Sequence, residues 1–307
     1  MSSQSRLRRL FSPKSVAVIG GGVWCRSVIE QLFKIDYKGK IFPVHPSKKE
    51  ILGLKYFKDL EAVPANIDAS FVGVNRNTTI EVVKKLNELN AGGAVCFASG
   101  FLEAENDKQG SGELQKSLIE AAGDMPILGP NCYGFINYLD RSVLWPDQHG
   151  GKPVDRGVAI LTQSSNLAIN ITMQTRGLPI SYIMSVGNQA SLGFSKIGMY
   201  LLSDPRVTAL GLHIEGIGDL RAFEKLAAKA RKLGKSIAVL KVGKSAEARK
   251  AAQSHTASLA GDSQGAKSLF KRLGIAEVDR LEVLVETLKI FHLNGPLLTK
   301  NVRSLSC

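Results

Sequence analysis

The chain is 307 residues long and carries forty Lys/Arg against twenty-seven Asp/Glu, a net charge of +13. With 44% hydrophobic and 22% charged residues it has the balance of a soluble globular protein, and its length suits two domains. No run approaches the ~18 consecutive apolar residues of a membrane-spanning helix, so a membrane partner is not expected.

The first fifty residues hold ten Lys/Arg against three Asp/Glu. Such an end attracts nucleic acid, a membrane surface or a polyanionic small molecule, or is simply a solvated basic face. No RNA-binding signature or zinc-finger spacing favours nucleic acid. Residues 1–10 are basic but lack the apolar core and cleavage site of a secretory signal. Cys25, Cys96, Cys132 and Cys307 are scattered, which predicts reduced thiols in the cytoplasm and neither a disulfide frame nor a metal site.

Strands are predicted at 15–20, 40–44, 69–74, 93–97 and 125–128, with helices at 26–35, 78–90 and 112–122 between them. This βαβα order predicts a parallel sheet covered on both faces. The pattern breaks over 137–156, expected to contain a linker at 141–156. It restarts with strands at 157–162, 180–185, 207–214, 236–242 and 275–278, and helices near 164–175, 194–203, 220–233, 263–273 and 281–293. The expected fold is α/β, two doubly wound parallel-sheet domains at about 10–140 and 157–295. Residues 296–307 look like the start of a further domain or linker, which makes the chain a candidate fragment of a longer protein.

Ligands of open parallel sheets bind beyond the carboxyl ends of strands. The first strand ends in Gly20-Gly21-Gly22, glycines that let a backbone approach a phosphate; a plain tight turn is the alternative. The second strand ends Phe42-Pro43-Val44-His45-Pro46 with no carboxylate for a ribose, so an NAD site is disfavoured. Lys48 and Lys49 favour a 2′- or 3′-phosphorylated nucleotide instead. Cys132, in the turn Gly129–Gly134, is either a nucleophile or a packed thiol, and no histidine lies nearby in sequence. Gln163, Ser164 and Ser165 open a helix, where N–H groups and dipole favour an anion, although Ser164 also suits a plain N-cap. Glu215 ends a strand beside Gly216 and is suited to holding a histidine in one tautomer; His213 reads as structural.

The most distinctive stretch is Ser254-His-Thr-Ala-Ser-Leu-Ala-Gly261. Small hydroxyl residues and glycine surround His255, and Thr256 precedes a second helix start. A neutral imidazole here is suited to attack phosphorus and carry a phosphoryl group, its oxygens held by the Ser164 turn and Thr256. A satisfied core or surface histidine is the alternative.

These motifs resemble the NDP-forming acyl-CoA synthetases, among them ADP-forming acetyl-CoA synthetase and the succinyl-CoA synthetase alpha subunit. The resemblance is carried by Ser15-Val-Ala-Val-Ile-Gly20, Gly39-Lys-Ile-Phe-Pro-Val-His-Pro46, Ser99-Gly-Phe101, Gly129-Pro-Asn-Cys132, Thr162-Gln-Ser164, Ser185-Val-Gly-Asn188, Ile214-Glu-Gly216 and the His255 stretch. It implies a Rossmann-like CoA-binding domain followed by a flavodoxin-like ligase domain. It implies His255 as the phosphorylated histidine, Glu215 as its orienting carboxylate, and Gln163, Ser164 and Ser165 as the phosphate cradle. CoA contacts fall on Gly20, Gly21, Gly22, Pro46, Asn75, Ser99 and Gly100. ATP/ADP with Mg2+ would enter through an ATP-grasp domain or beta subunit in a homo- or hetero-oligomer. The chain departs from the family's pattern in its first loop, Gly20–Arg26, which is shorter and lacks the usual lysine. It departs again at Gln189–Phe194, which has no acidic residue, and at Ser165-Asn166, where a glycine is usual. These departures leave the acyl group open. Two other readings compete: an acyl-CoA-binding regulatory region of a protein acetyltransferase, and a CoA-binding module without chemistry.

Overall fold

The computed structural model describes residues 3–104, 110–243 and 263–297. Helix α1 (Ser3–Phe11) leads into β1 (Ser15–Ile19), α2 (Val23–Lys34) and β2 (Lys40–Val44). A small antiparallel pair, β3 (Glu50–Ile51) and β4 (Leu54–Lys55), precedes β5 (Ala69–Val72), α3 (Arg76–Glu88), β6 (Gly93–Cys96), α4 (Ser111–Ala122) and β7 (Ile127–Leu128). The first sheet runs β2-β1-β5-β6-β7 and is parallel throughout. All five residues of β1 are buried, as a strand covered on both faces requires.

The second sheet is built from β8 (Gly134–Asn137), β9 (Ser142–Leu144), β10 (Gly157–Thr162), β11 (Ile180–Ser185), β12 (Val207–Ile214), β13 (Ser236–Lys241) and β14 (Ala276–Val278), in the order β14-β13-β12-β10-β11-β8-β9. Its first five strands in that order are parallel; β8 and β9 are antiparallel additions beside β11. Helices α5 (Ser165–Thr172), α6 (Phe194–Leu202), α7 (Leu220–Lys232), α8 (Ser263–Leu273) and α9 (Leu281–Asn294) join or follow these strands. In α7, Phe223, Leu226, Ala227 and Ala230 form the buried stripe, Asp219 caps the start, and Lys229, Arg231 and Lys232 occupy the last turn.

The stretch 137–156, where the strand–helix pattern breaks and a linker is expected at 141–156, opens with half of the β8–β9 hairpin and the fully buried Trp145. Strands of four and three residues are too short for their periodicity to show. The second sheet is therefore mixed at one edge.

Val16 and Val18 point to one face of the first sheet and join a core that continues through Phe135, Trp145 and Ile160 of the second. Ala17 and Ile19 point to the other face, into a separate core with Val83, Leu86 and Leu118. The two domains thus share an apolar interior. Among the described residues no helix is long and apolar enough to cross a membrane.

Candidate functional site

Strand order reverses beside β1 in the first sheet and beside β10 in the second, so a crevice is expected at the carboxyl ends of each. In the first sheet it is a groove of about 450 Å³ lined by Gly20, Gly21, His45, Pro46, Val74 and Lys85 among others. Gly20 has φ +127°, and a Cβ on it would lie 2.6 Å from the Gly73 carbonyl oxygen. A Cβ on Gly21 would lie 2.5 Å from the His45 ring. Gly20 is demanded by the protein's own backbone packing, Gly21 is crowded by the His45 and Lys48 side chains, and Gly22 has open space and N-caps α2. The Lys48 ammonium folds over the loop onto the Gly21 carbonyl. Lys49 is exposed and does not line the groove.

Val74 also lines a second cleft, of about 490 Å³, together with Trp24, Phe97, Asn131, Tyr133 and Ser165. The two hollows therefore adjoin at Val74, just past the end of β5. Asn75 and Ser99 line this cleft as well. The Asn75 side-chain Oδ1 is spent on capping α3, accepting from the N–H groups of Asn77 and Thr78 at 3.1 Å each. Gly100 lies behind the wall: Arg76 donates to its carbonyl at 2.9 Å, and its N–H donates to Glu103 at 2.6 Å. Asn188 in turn donates to Glu103 and, at 3.1 Å, to Gln115, which ties this loop to the second domain. Cys132 is buried and its pKa is raised well above the usual thiol range by desolvation. It is a packed thiol, and the nucleophile alternative falls.

Ser165 is where the cleft reaches the second sheet. Its hydroxyl lies 2.7 Å from that of Ser185 and accepts from the Tyr133 N–H at 3.4 Å. Ser164 is the N-cap of α5, its hydroxyl accepting from Leu167 N–H at 3.2 Å. The remaining first-turn N–H groups of α5 make an anion-favouring end. Gln163 is buried; its Oε1 accepts from the Glu215 N–H at 2.7 Å, while its Nε2 has no hydrogen-bond partner among the described residues. A buried amide donor left this way is costly, and an anion acceptor would satisfy it.

Glu215 thus sits beside Gln163 at the reversal point between β10 and β12. Lys241, almost wholly buried, donates to the Glu215 carbonyl at 2.9 Å and to the Val242 carbonyl at 3.0 Å. The sequence reading missed Lys241, although a lone charge ending the apolar run Ser236–Lys241 was a legible signal. Trp24, Phe97 and Tyr133 were also missed as cleft-lining residues. His213 is buried, lies 3.0 Å from the Thr162 hydroxyl, and has its pKa lowered to about 4 by desolvation. It is a neutral structural bridge between β10 and β12. His255 and Thr256 lie outside the described residues.

Residues 14–138 match a family model described as a CoA binding domain, and residues 155–291 one described as a succinyl-CoA ligase like flavodoxin domain. A trans-feruloyl-CoA synthase from an unknown prokaryotic organism is 32% identical over 94% of this chain and 42% of its own length. The alpha subunit of an ADP-forming acetate–CoA ligase II from Pyrococcus furiosus is 31% identical over 92% of this chain and 62% of its own length. The solved acetyl-coenzyme A synthetase 1 of Ca. Korarchaeum cryptofilum, in complex with phosphate and ADP, superposes with a TM-score of 0.83. That match is 29% identical and covers 94% of this chain and 63% of that one. The chain therefore spans between two fifths and two thirds of the length of these relatives.

Proposed function

We propose a function on the premise that the chain belongs to the NDP-forming acyl-CoA synthetase family. Within that family it is the alpha-type portion of an ADP-forming acid–thiol ligase, with CoA handled by residues 10–140 and phosphoryl transfer by residues 157–295. The observation that carries this reading is the pair of hollows that adjoin at Val74, one at the Gly20 loop and the other reaching Ser165 at the start of α5. A long thioester anchored on the first domain would present its reactive end to the anion-favouring helix of the second.

In the proposed reaction, phosphate attacks the thioester carbonyl and the CoA thiolate leaves, giving an acyl phosphate. The His255 imidazole then attacks phosphorus, releasing the carboxylate. Glu215 holds the imidazole in the reactive tautomer, and Gln163, Ser165 and Thr256 support the phosphoryl oxygens; Ser164 orders the turn as its cap. Phosphohistidine finally passes the group to ADP, bound with Mg2+ on an ATP-grasp domain or beta subunit. The reverse direction runs through the same steps. CoA is contacted through Gly20, Gly21, Pro46, Asn75 and Ser99, with Gly22 and Gly100 shaping the loops behind them. The acid is drawn from a range that, in the relatives' names, includes acetate and trans-ferulate. The buried free thiols Cys25, Cys96 and Cys132 suit the cytoplasm.

The test uses the complete protein, nucleotide-binding portion included. Incubation with γ-labelled ATP should give acid-labile, base-stable protein phosphate, and His255→Ala should abolish it. Equal labelling of that variant would sink the assignment.

A further inference from the structure

The cleft between the sheets has an aromatic wall that the chemistry above does not explain. Trp24, Phe97 and Tyr133 all line it. Their ring centroids are 5.4 Å apart for Trp24 and Phe97, 6.0 Å for Trp24 and Tyr133, and 5.8 Å for Phe97 and Tyr133. The three rings thus form a closed triangle, and none of them is fully buried.

Two of the rings are braced from behind. Phe71, wholly buried, lies 5.6 Å from Phe97, and Trp145, wholly buried, lies 5.3 Å from Tyr133. Packed backing fixes the ring orientations before any ligand arrives, so little ordering entropy remains to be lost on binding. Trp24 stands on the first turn of α2 and keeps 41% of its surface exposed. A large ring left in water at the mouth of a cleft, over two other aromatic faces, marks a surface that a ligand covers.

The position of the wall says which part of the ligand that is. It lines the same cleft as Val74, which also borders the Gly20 groove, and Ser165, where α5 begins. On the CoA-thioester reading of the groove, that cleft is where the acyl end arrives. A two-carbon acyl group presents too little surface to cover three rings. A planar conjugated acyl group matches them, because offset-stacked and edge-to-face contacts between rings add to simple area burial.

We propose that the acid handled here is an aryl acid, its ring seated against Trp24, Phe97 and Tyr133, with Trp24 the main determinant of that preference. This rests on the groove being a CoA-thioester site. The test is calorimetric titration of the complete protein with CoA, acetyl-CoA and cinnamoyl-CoA. Cinnamoyl-CoA should bind about tenfold tighter than acetyl-CoA. Trp24→Ala should remove most of that gap and leave CoA affinity unchanged, while Trp24→Phe should keep it. The side chain is largely exposed, so both variants should fold; a circular dichroism melt checks this. Equal affinity for the two thioesters overturns the aryl assignment alone, as does a Trp24→Ala variant that weakens CoA, acetyl-CoA and cinnamoyl-CoA alike. Absence of binding by CoA itself overturns the groove reading and the aryl assignment with it.

Discussion

Glu215 is gripped through its main chain from both sides: Gln163 of one neighbouring strand end takes its N–H, and Lys241 of the other takes its carbonyl. One strand position earlier in the alternation, His213 ties β12 to Thr162. The pKa of His213 is lowered to about 4 from an ordinary 6.5, so the unfolded chain binds its proton more readily than the folded one. Stability is therefore complete above about pH 6.5 and drains away as the pH falls toward 4. His149, beside the Tyr138 hydroxyl at 3.0 Å and also lowered to about 4, acts with the same sign. Urea unfolding should show a loss of about 2 kcal/mol per histidine between pH 7 and pH 5. His213→Asn should make that acid limb shallower; an unchanged limb would refute the assignment. The alternation of β12 already marked His213 as structural, while the contacts that fix Glu215 were not legible. They come from strands 52 and 26 residues away, and no local spacing encodes such contacts.

At the scale of elements, the β8–β9 hairpin depends on one residue. Asn137 is fully buried; it donates to the Phe11 carbonyl at 2.9 Å and to Asp140 at 3.0 Å. It also accepts from the N–H groups of Leu139 and Asp140 at 3.0 and 3.1 Å. Asn137→Ala should cost at least about 2 kcal/mol in chemical denaturation, because several buried polar groups lose their partner together. A loss within the range of an ordinary surface change would show that the hairpin stands without it. The main strands and helices were legible because their buried faces are long. Helix α2 begins three residues before its expected start, at Val23, because Gly22 serves as the N-cap without a side chain to announce it. The basic N-terminal segment was legible in charge but not in use. Arg9 pairs with Asp68 at 2.7 Å and donates to the carbonyls of Asn90 and Ile67, so part of that charge is internal bracing for α1 and needs no external anion.

For the whole molecule, the decisive fact is the core that passes from Val16, Val18 and Phe71 into Phe135, Trp145 and Ile160. Domains joined by small polar contacts move; domains joined through a common apolar interior do not swing freely. The chain should therefore unfold as one unit, with circular dichroism and tryptophan fluorescence tracing the same transition. Two separated transitions would show the domains to be independent. The existence of two α/β domains was legible from the repeating strand–helix order. Their fusion was not, because a shared interior looks in sequence like any other buried residue. It also holds Val74 and Ser165, which line one cleft, at a set separation. A hinge would let a short ligand be met halfway. Here the distance acts as a ruler, and on the CoA reading only an arm of sufficient reach, held at its nucleotide end, delivers its far end to α5. Truncated thioesters would then fail by falling short, whatever the chemistry of their acyl group.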